Sequence, residues 1–182
     1  MTIQKRPRRT APSKTRVKPA PRKKSQAAAK KIGVRSLPAL TLPATGGKSL
    51  RLSDLKGRRV VLYFYPKDDT PGCTREGCDI RDRHGEFTRR NAVVLGVSRD
   101  GLAAHEKFKS KYGFPFELVS DPDKKLCRAF DVIQEKSLYG RKYLGIERST
   151  FVFDETGKLR QAFRGVKGGG HAQQILDELD KL

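Results

Sequence analysis

Apolar residues are few and scattered up to about residue 35, then gather into short, closely spaced blocks. "LTLPATGGKSLRL" (Leu40–Leu52) predicts two short strands around a Gly-Gly turn. "VVLYFY" (Val60–Tyr65) is a continuous run of β-branched, aliphatic and aromatic residues, the pattern of a central strand covered on both faces. Pro66 ends it. A helix is expected from Thr70, with Thr70 as N-cap and Pro71 at the favoured first position, running to about Arg90. "AVVLGVS" (Ala92–Ser98) predicts a second buried strand, followed by a helix near Leu102–Tyr112. "FELVSD" (Phe116–Asp121) predicts a third strand, and "PDKKLCRAF" (Pro122–Phe130) a short helix. "STFVFDETGKLRQAF" (Ser149–Phe163) reads as a hairpin turning at Glu155–Lys158. "HAQQILDELDKL" (His171–Leu182) closes the chain as an amphipathic helix with Ile175 and Leu179 on one face, and Gly168–Gly170 reads as a flexible lead into it.

Strands alternating with helices predict an α/β chain: a central mixed β-sheet flanked by helices on both faces. One domain over residues 36–182 is expected. Residues 1–35 differ in kind. Thirteen of the chain's Lys and Arg residues lie there with no acid, leaving +7 of the net +20 for residues 36–182. Rich in Lys, Arg, Pro, Ala and Ser, this segment has too little apolar surface to offset its ordering entropy, and a disordered basic arm is expected. Such an arm attracts polyanions, so a possible partner is nucleic acid, bound without sequence preference; the bland alternative is a solvated tail. No stretch approaches a membrane span, and no apolar core of a secretory signal is visible. The prolines and the lack of an amphipathic period also argue against an organellar transit peptide.

"YFYPKDDTPGCTREGCD" (Tyr63–Asp79) carries two of the three cysteines, Cys73 and Cys78, five residues apart. An odd number of cysteines does not suit a secreted disulfide framework, and a reducing compartment, the cytoplasm, is expected. Zinc needs four ligands, usually from two close pairs, and here there is one pair with scattered histidines (His84, His105, His171). No metal is expected, and His105 and His171 read as polar-face residues. On one helix the two cysteine Cα atoms would lie about 8.7 Å apart, beyond the roughly 7 Å a disulfide allows. A bond between them requires the helix to unwind, which suits a switch better than a staple. A thiol in the first turn of a helix faces the positive end of the dipole, which favours the thiolate. Only about 3% of an ordinary thiol is ionised at pH 7, so ionisation alone gains about thirtyfold. Further rate must come from groups that stabilise the transition state, a hydroxyl and a cation. Thr70 offers the hydroxyl locally.

Pro66-x-x-x-Thr70-x-x-Cys73 resembles the active-site motif of the peroxiredoxins, and the longer string resembles their Q branch, also called the bacterioferritin comigratory protein (Bcp) subfamily. The resemblance extends from about Leu37 to Leu182 through "VVLGVS", "KYGFPFELVSDPDKKL" and "YGRKYLGIERSTFVFD". It implies a thioredoxin-like fold and a thiol peroxidase that reduces hydrogen peroxide and organic hydroperoxides without cofactor or metal, in antioxidant defence. Carried over by position, Cys73 is the peroxidatic cysteine, Cys78 the resolving cysteine, Thr70 and Pro66 the other motif residues, and Arg148 the catalytic arginine. Thioredoxin or a similar dithiol would be the reductant, and a monomer is expected. The basic arm is not part of the family pattern. It leaves a second reading, a redox-regulated nucleic-acid-binding protein, which would place the chain near DNA or in the nucleus. Cys127 matches no motif position and reads as a small buried apolar residue.

Overall fold

A computed structural model of the chain describes residues 33–138, 141–167 and 169–182. The expected disorder of the arm therefore falls largely outside the described residues, as does Gly168 of the glycine run. Seven strands form one sheet in the order β2-β1-β5-β4-β3-β8-β9. Its members are β1 (Thr41–Ala44), β2 (Lys48–Arg51), β3 (Arg59–Phe64), β4 (Ala92–Ser98), β5 (Glu117–Ser120), β8 (Ser149–Phe153) and β9 (Leu159–Phe163). β3, β4 and β5 run parallel, while β8 is antiparallel to β3, so the sheet is mixed as expected. β3 lies inside the sheet between β4 and β8, and Val60–Phe64 are wholly buried, which is why its sequence shows no alternation.

Helices α1 (Pro71–Asp82), α2 (His84–Arg89), α3 (Leu102–Tyr112) and α5 (His171–Leu179) contribute to one buried cluster with Val61, Tyr63, Val94, Leu118 and Val152. The opposite face buries Val60, Leu62, Phe64, Leu95 and Phe151 with Leu126, Cys127 and Phe130 from and beside α4 (Lys125–Ala129). Tyr63 sits opposite Gly96 on β4, where an added Cβ would lie 2.7 Å from the tyrosine hydroxyl; only glycine admits that ring. The Ser149–Phe163 hairpin turns where expected, and Asp154 organises it: one carboxylate oxygen accepts from the Thr156 and Lys158 amides and the Thr156 hydroxyl.

Four local features depart from expectation or went unpredicted. The helix expected to reach Arg90 breaks at Arg83 (φ −108°, ψ 10°), and a new turn starts on the Arg83 carbonyl, directing Phe87 into the core. Thr70 occupies the N-cap position, but its hydroxyl donates to the Lys67 carbonyl at 3.1 Å and does not cap the helix. His105 and His171 are buried and hydrogen-bonded, not on a polar face. A fourth feature carried no prediction: β6 (Ile133–Leu138) and β7 (Arg141–Ile146) form a separate antiparallel ribbon. Tyr143 and Leu144 on it are exposed, so no burial period marks it in the sequence.

Candidate active site

The C-terminal end of β3 delivers the chain through Tyr65–Thr70 to the first turn of α1, where Cys73 is the third helical residue and only 2% exposed. Two glycines shape this turn and its sequel. An added Cβ on Gly72 would lie 3.2 Å from Arg148 Nη2, and one on Gly77 would lie 2.6 Å from Phe114 Cζ. The first leaves room for a guanidinium at the helix N-terminus. The second lets α1 press onto the aromatic cluster beneath it.

Arg148 arrives from the loop joining β7 to β8, held by the Val166 amide donating to its carbonyl at 2.9 Å. Its Nη2 donates to Cys73 Sγ at 3.2 Å, and its Nη1 to Glu76 Oε2. Burial opposes the guanidinium charge, yet Glu76 and Cys73 outweigh that and hold its pKa above the ordinary arginine value. Glu76 is 1% exposed; burial pushes its carboxyl up to about 7 against the pull of Arg148. Its other oxygen, Oε1, and the Tyr63 hydroxyl are buried and have no hydrogen-bond partner among the described residues. Burial, then Glu76 and Cys73, raise the Tyr63 phenol well above its ordinary value, so it stays protonated. Lys136 of β6 donates to the Ile146 carbonyl at 2.6 Å; burial first, then Arg148, lower its pKa.

Of the residues singled out from sequence, the fold thus unites Cys73 and Arg148, 75 positions apart. Cys78 lies on the same helix, half-buried and unbonded to Cys73, and about 140° further round at 3.6 residues per turn. The Thr70 hydroxyl is turned to Lys67, while its carbonyl accepts the first helical bond from Thr74 at 2.9 Å. Pro66 is half-buried beside Lys67, Arg99 and Asp100 in a shallow depression. Glu76, Tyr63 and Lys136 were missed. Glu76 alone left a signal: at i+3 from Cys73 it shares the helix face that meets Arg148. Among the described residues, no cluster of three or more His, Cys, Asp or Glu side chains is placed to hold a metal ion.

A buried thiol at a helix N-terminus, gripped by an arginine at the end of a mixed sheet, defines a thiol-based oxidoreductase. Residues 34–162 match the AhpC/TSA family. The chain is 51% identical over 150 residues to peroxiredoxin Bcp of Xanthomonas campestris pv. campestris, covering 80% of this chain and 94% of that protein. It is 49% identical over 145 residues to peroxiredoxin Bcp of Bacillus subtilis, with 80% and 92% covered. A solved structure of Xanthomonas campestris peroxiredoxin Q superimposes with a TM-score of 0.76 at 50% identity, covering 81% of this chain and 96% of that one. A second, of the bacterioferritin comigratory protein of that organism, described for its alkyl peroxide reduction activity, has a TM-score of 0.76 at 49% identity over 81% and 97%. The chain belongs to the AhpC/TSA family, in its peroxiredoxin Q (Bcp) branch. Its fold is thioredoxin-like, and it is a peroxidase of the thiol-dependent, antioxidant class.

Proposed function

We propose that the enzyme reduces hydrogen peroxide and organic hydroperoxides at Cys73, resolves through Cys78, and is recycled by thioredoxin or a similar dithiol in a reducing cytoplasm. The observation that carries this reading is the Arg148 guanidinium on the Cys73 sulfur at 3.2 Å, in the first turn of α1. The Cys73 thiolate attacks one peroxide oxygen; an S–O bond forms as the O–O bond breaks, and the departing oxygen takes a proton and leaves as water or alcohol. Arg148 and the Cys73 amide hold the two oxygens in line and stabilise the charge that develops, the Thr70 hydroxyl accepts from the peroxide O–H while it donates to the Lys67 carbonyl, and Pro66 shapes the approach. The first turn of α1 then unwinds. The Cys78 thiol attacks the sulfenic sulfur, forming the S–S bond and releasing water, and a dithiol reduces this disulfide by exchange, itself becoming oxidised. Both thiols belong to one helix, so a monomer suffices.

Peroxide consumption coupled to thioredoxin, with peptide mapping of the oxidised protein, tests the scheme. Wild type turns over and yields a Cys73–Cys78 bond. Cys78→Ser reacts once, then accumulates Cys73 sulfinic acid faster than wild type under excess peroxide. A bond from Cys73 to Cys127, or between chains, removes Cys78 from the resolving role.

A further inference from the structure

The loop before Cys73 carries two successive aspartates, and α3 grips both. Asp68 points inward: Oδ1 accepts from the Tyr65 hydroxyl at 2.7 Å, and Oδ2 lies 2.7 Å from His105 Nδ1. The other ring nitrogen of His105, Nε2, faces the Val119 carbonyl of β5 at 3.3 Å, and the Tyr65 hydroxyl also lies 3.5 Å from Nδ1 of this buried ring. The Asp68 amide donates to Asp100 Oδ2 at 2.8 Å, and that oxygen also accepts from the Ser98 hydroxyl. Asp69 points outward: its two oxygens accept from the Tyr112 hydroxyl and the Lys111 ammonium, each at 2.6 Å. His105 and Tyr112 are seven residues apart, two turns along one face of α3.

The outer grip holds a strained residue. Asp69 has φ +54°, a left-handed conformation that is costly for a side chain with a Cβ. That conformation aims the Asp69–Thr70 peptide and, through it, Thr70, whose carbonyl receives the first hydrogen bond of α1. Further along, α1 is pinned again: Arg81 donates to the Tyr112 carbonyl at 2.7 Å, and Asp79 accepts from the Ala172 amide at 3.0 Å. The turns between these anchors, around Gly72–Gly77, are held by Arg148 through Cys73 and Glu76 and are the part that unwinds.

We propose that α3 is a clamp on the catalytic loop, and that His105, Lys111 and Tyr112 are positioning residues that favour the wound first turn of α1. The clamp sets the balance between the wound form, in which Cys73 meets peroxide, and the unwound form, in which it meets Cys78. Releasing Asp69 from its left-handed conformation swings the Thr70 carbonyl away from Thr74, and the turn opens more readily. This rests on the reading of Cys73 as the attacking and Cys78 as the resolving thiol.

The test is a peroxide pulse on His105→Gln and on Tyr112→Phe, quenched with a sulfenic-acid trap and read by mass spectrometry over time. Conversion of sulfenic acid to the Cys73–Cys78 disulfide should accelerate about tenfold in His105→Gln, which loses a buried charge-assisted hydrogen bond, and about threefold in Tyr112→Phe, which loses a half-exposed one. The sulfinic fraction at high peroxide should fall in proportion. General destabilisation would also open the turn, so Cys127→Ser, which loosens the opposite face of the sheet without touching α1 or α3, is run alongside. Acceleration in the clamp variants but not in Cys127→Ser reports the clamp, and equal acceleration in all three overturns it. If His105→Gln does not fold, Tyr112→Phe decides, because it removes one hydroxyl and keeps the ring in its cluster. If the mapped bond is not Cys73–Cys78, the underlying reading fails, and the clamp with it. If that bond forms but the second step is unchanged or slower in the variants, the clamp alone is overturned.

Discussion

Cys73 and Cys127 occupy nearly the same local setting. Each is the third residue of a helix at the edge of the core, and each is buried. Their neighbours differ in sign. Cys73 receives the Arg148 guanidinium, and no side chain caps its helix. Beside Cys127 the Asp121 carboxylate accepts from the Lys125 and Cys127 amides at 2.8 Å each, filling the helix N-terminus that could have served a thiolate. Burial, reinforced by Asp121, pushes the Cys127 thiol far above its ordinary range. A helix N-terminus by itself therefore does not fix the electrostatic setting of a cysteine. The charge that the rest of the fold places beside the sulfur decides it.

The contrast breaks most sharply in the thiols themselves. Cys73→Ser should abolish peroxide turnover, because a serine hydroxyl is not ionised near neutrality. Cys127→Ser should leave kcat/KM within about twofold while lowering stability by roughly 1 kcal/mol or more, the cost of a buried hydroxyl. Turnover lost in Cys127→Ser that folds as wild type would end the distinction. The second effect is that of the cation. Arg148→Ala should cost about 10²-fold or more in kcat/KM for peroxide, as for a lost oxyanion-type donor, with Cys73 still open to alkylation. Peroxide kinetics equal to wild type would show that the 3.2 Å contact does no catalytic work.

The carboxylates beside the two thiols sharpen the comparison. Asp121 is engaged by backbone amides, whereas Glu76 has one oxygen on Arg148 and one without a partner among the described residues. With the Glu76 carboxyl raised to about 7 in the folded protein, it holds between about pH 4 and 7 a proton that the unfolded chain has already lost. Its contribution to stability is full below about pH 4 and is lost as pH rises to about 7. Urea unfolding should show wild type losing stability relative to Glu76→Gln across that window, then running parallel above it. Curves parallel throughout would refute the raised carboxyl. The smallest expected effect concerns the basic segment. Arg35 and Ser36 pair with Leu159 and Lys158, where the Arg59 end of β3 also meets Glu155, at the pole away from Cys73. Removing residues 1–32 should leave peroxide turnover unchanged and abolish any low-salt binding to DNA. Lost turnover would join the segment to the enzyme, and unaltered DNA binding would move that activity to the folded part.

Much of this was legible along the chain because the information is local. Continuous apolar runs marked β3 and β4, the prolines and glycines marked the turns, and Thr70-Pro71 marked the start of α1. The motif around Cys73 and the spacing to Cys78 pointed to thiol redox chemistry before any neighbour was known. What stayed hidden depends on contacts distant in sequence. No period announces that Arg83 breaks a helix, that the ribbon of Ile133–Leu138 and Arg141–Ile146 brings Lys136 near the site, or that His105 is sealed between Asp68 and Val119. The chain by itself determined which elements form and that Cys73 and Cys127 both lie on helices, since backbone propensity and hydrophobic period act over a few residues. Only tertiary structure decided which sulfur meets a cation and which a carboxylate. Arg148 comes to Cys73 from 75 residues away, and Asp121 to Cys127 from six, and electrostatics depends on distance through space, not along the chain.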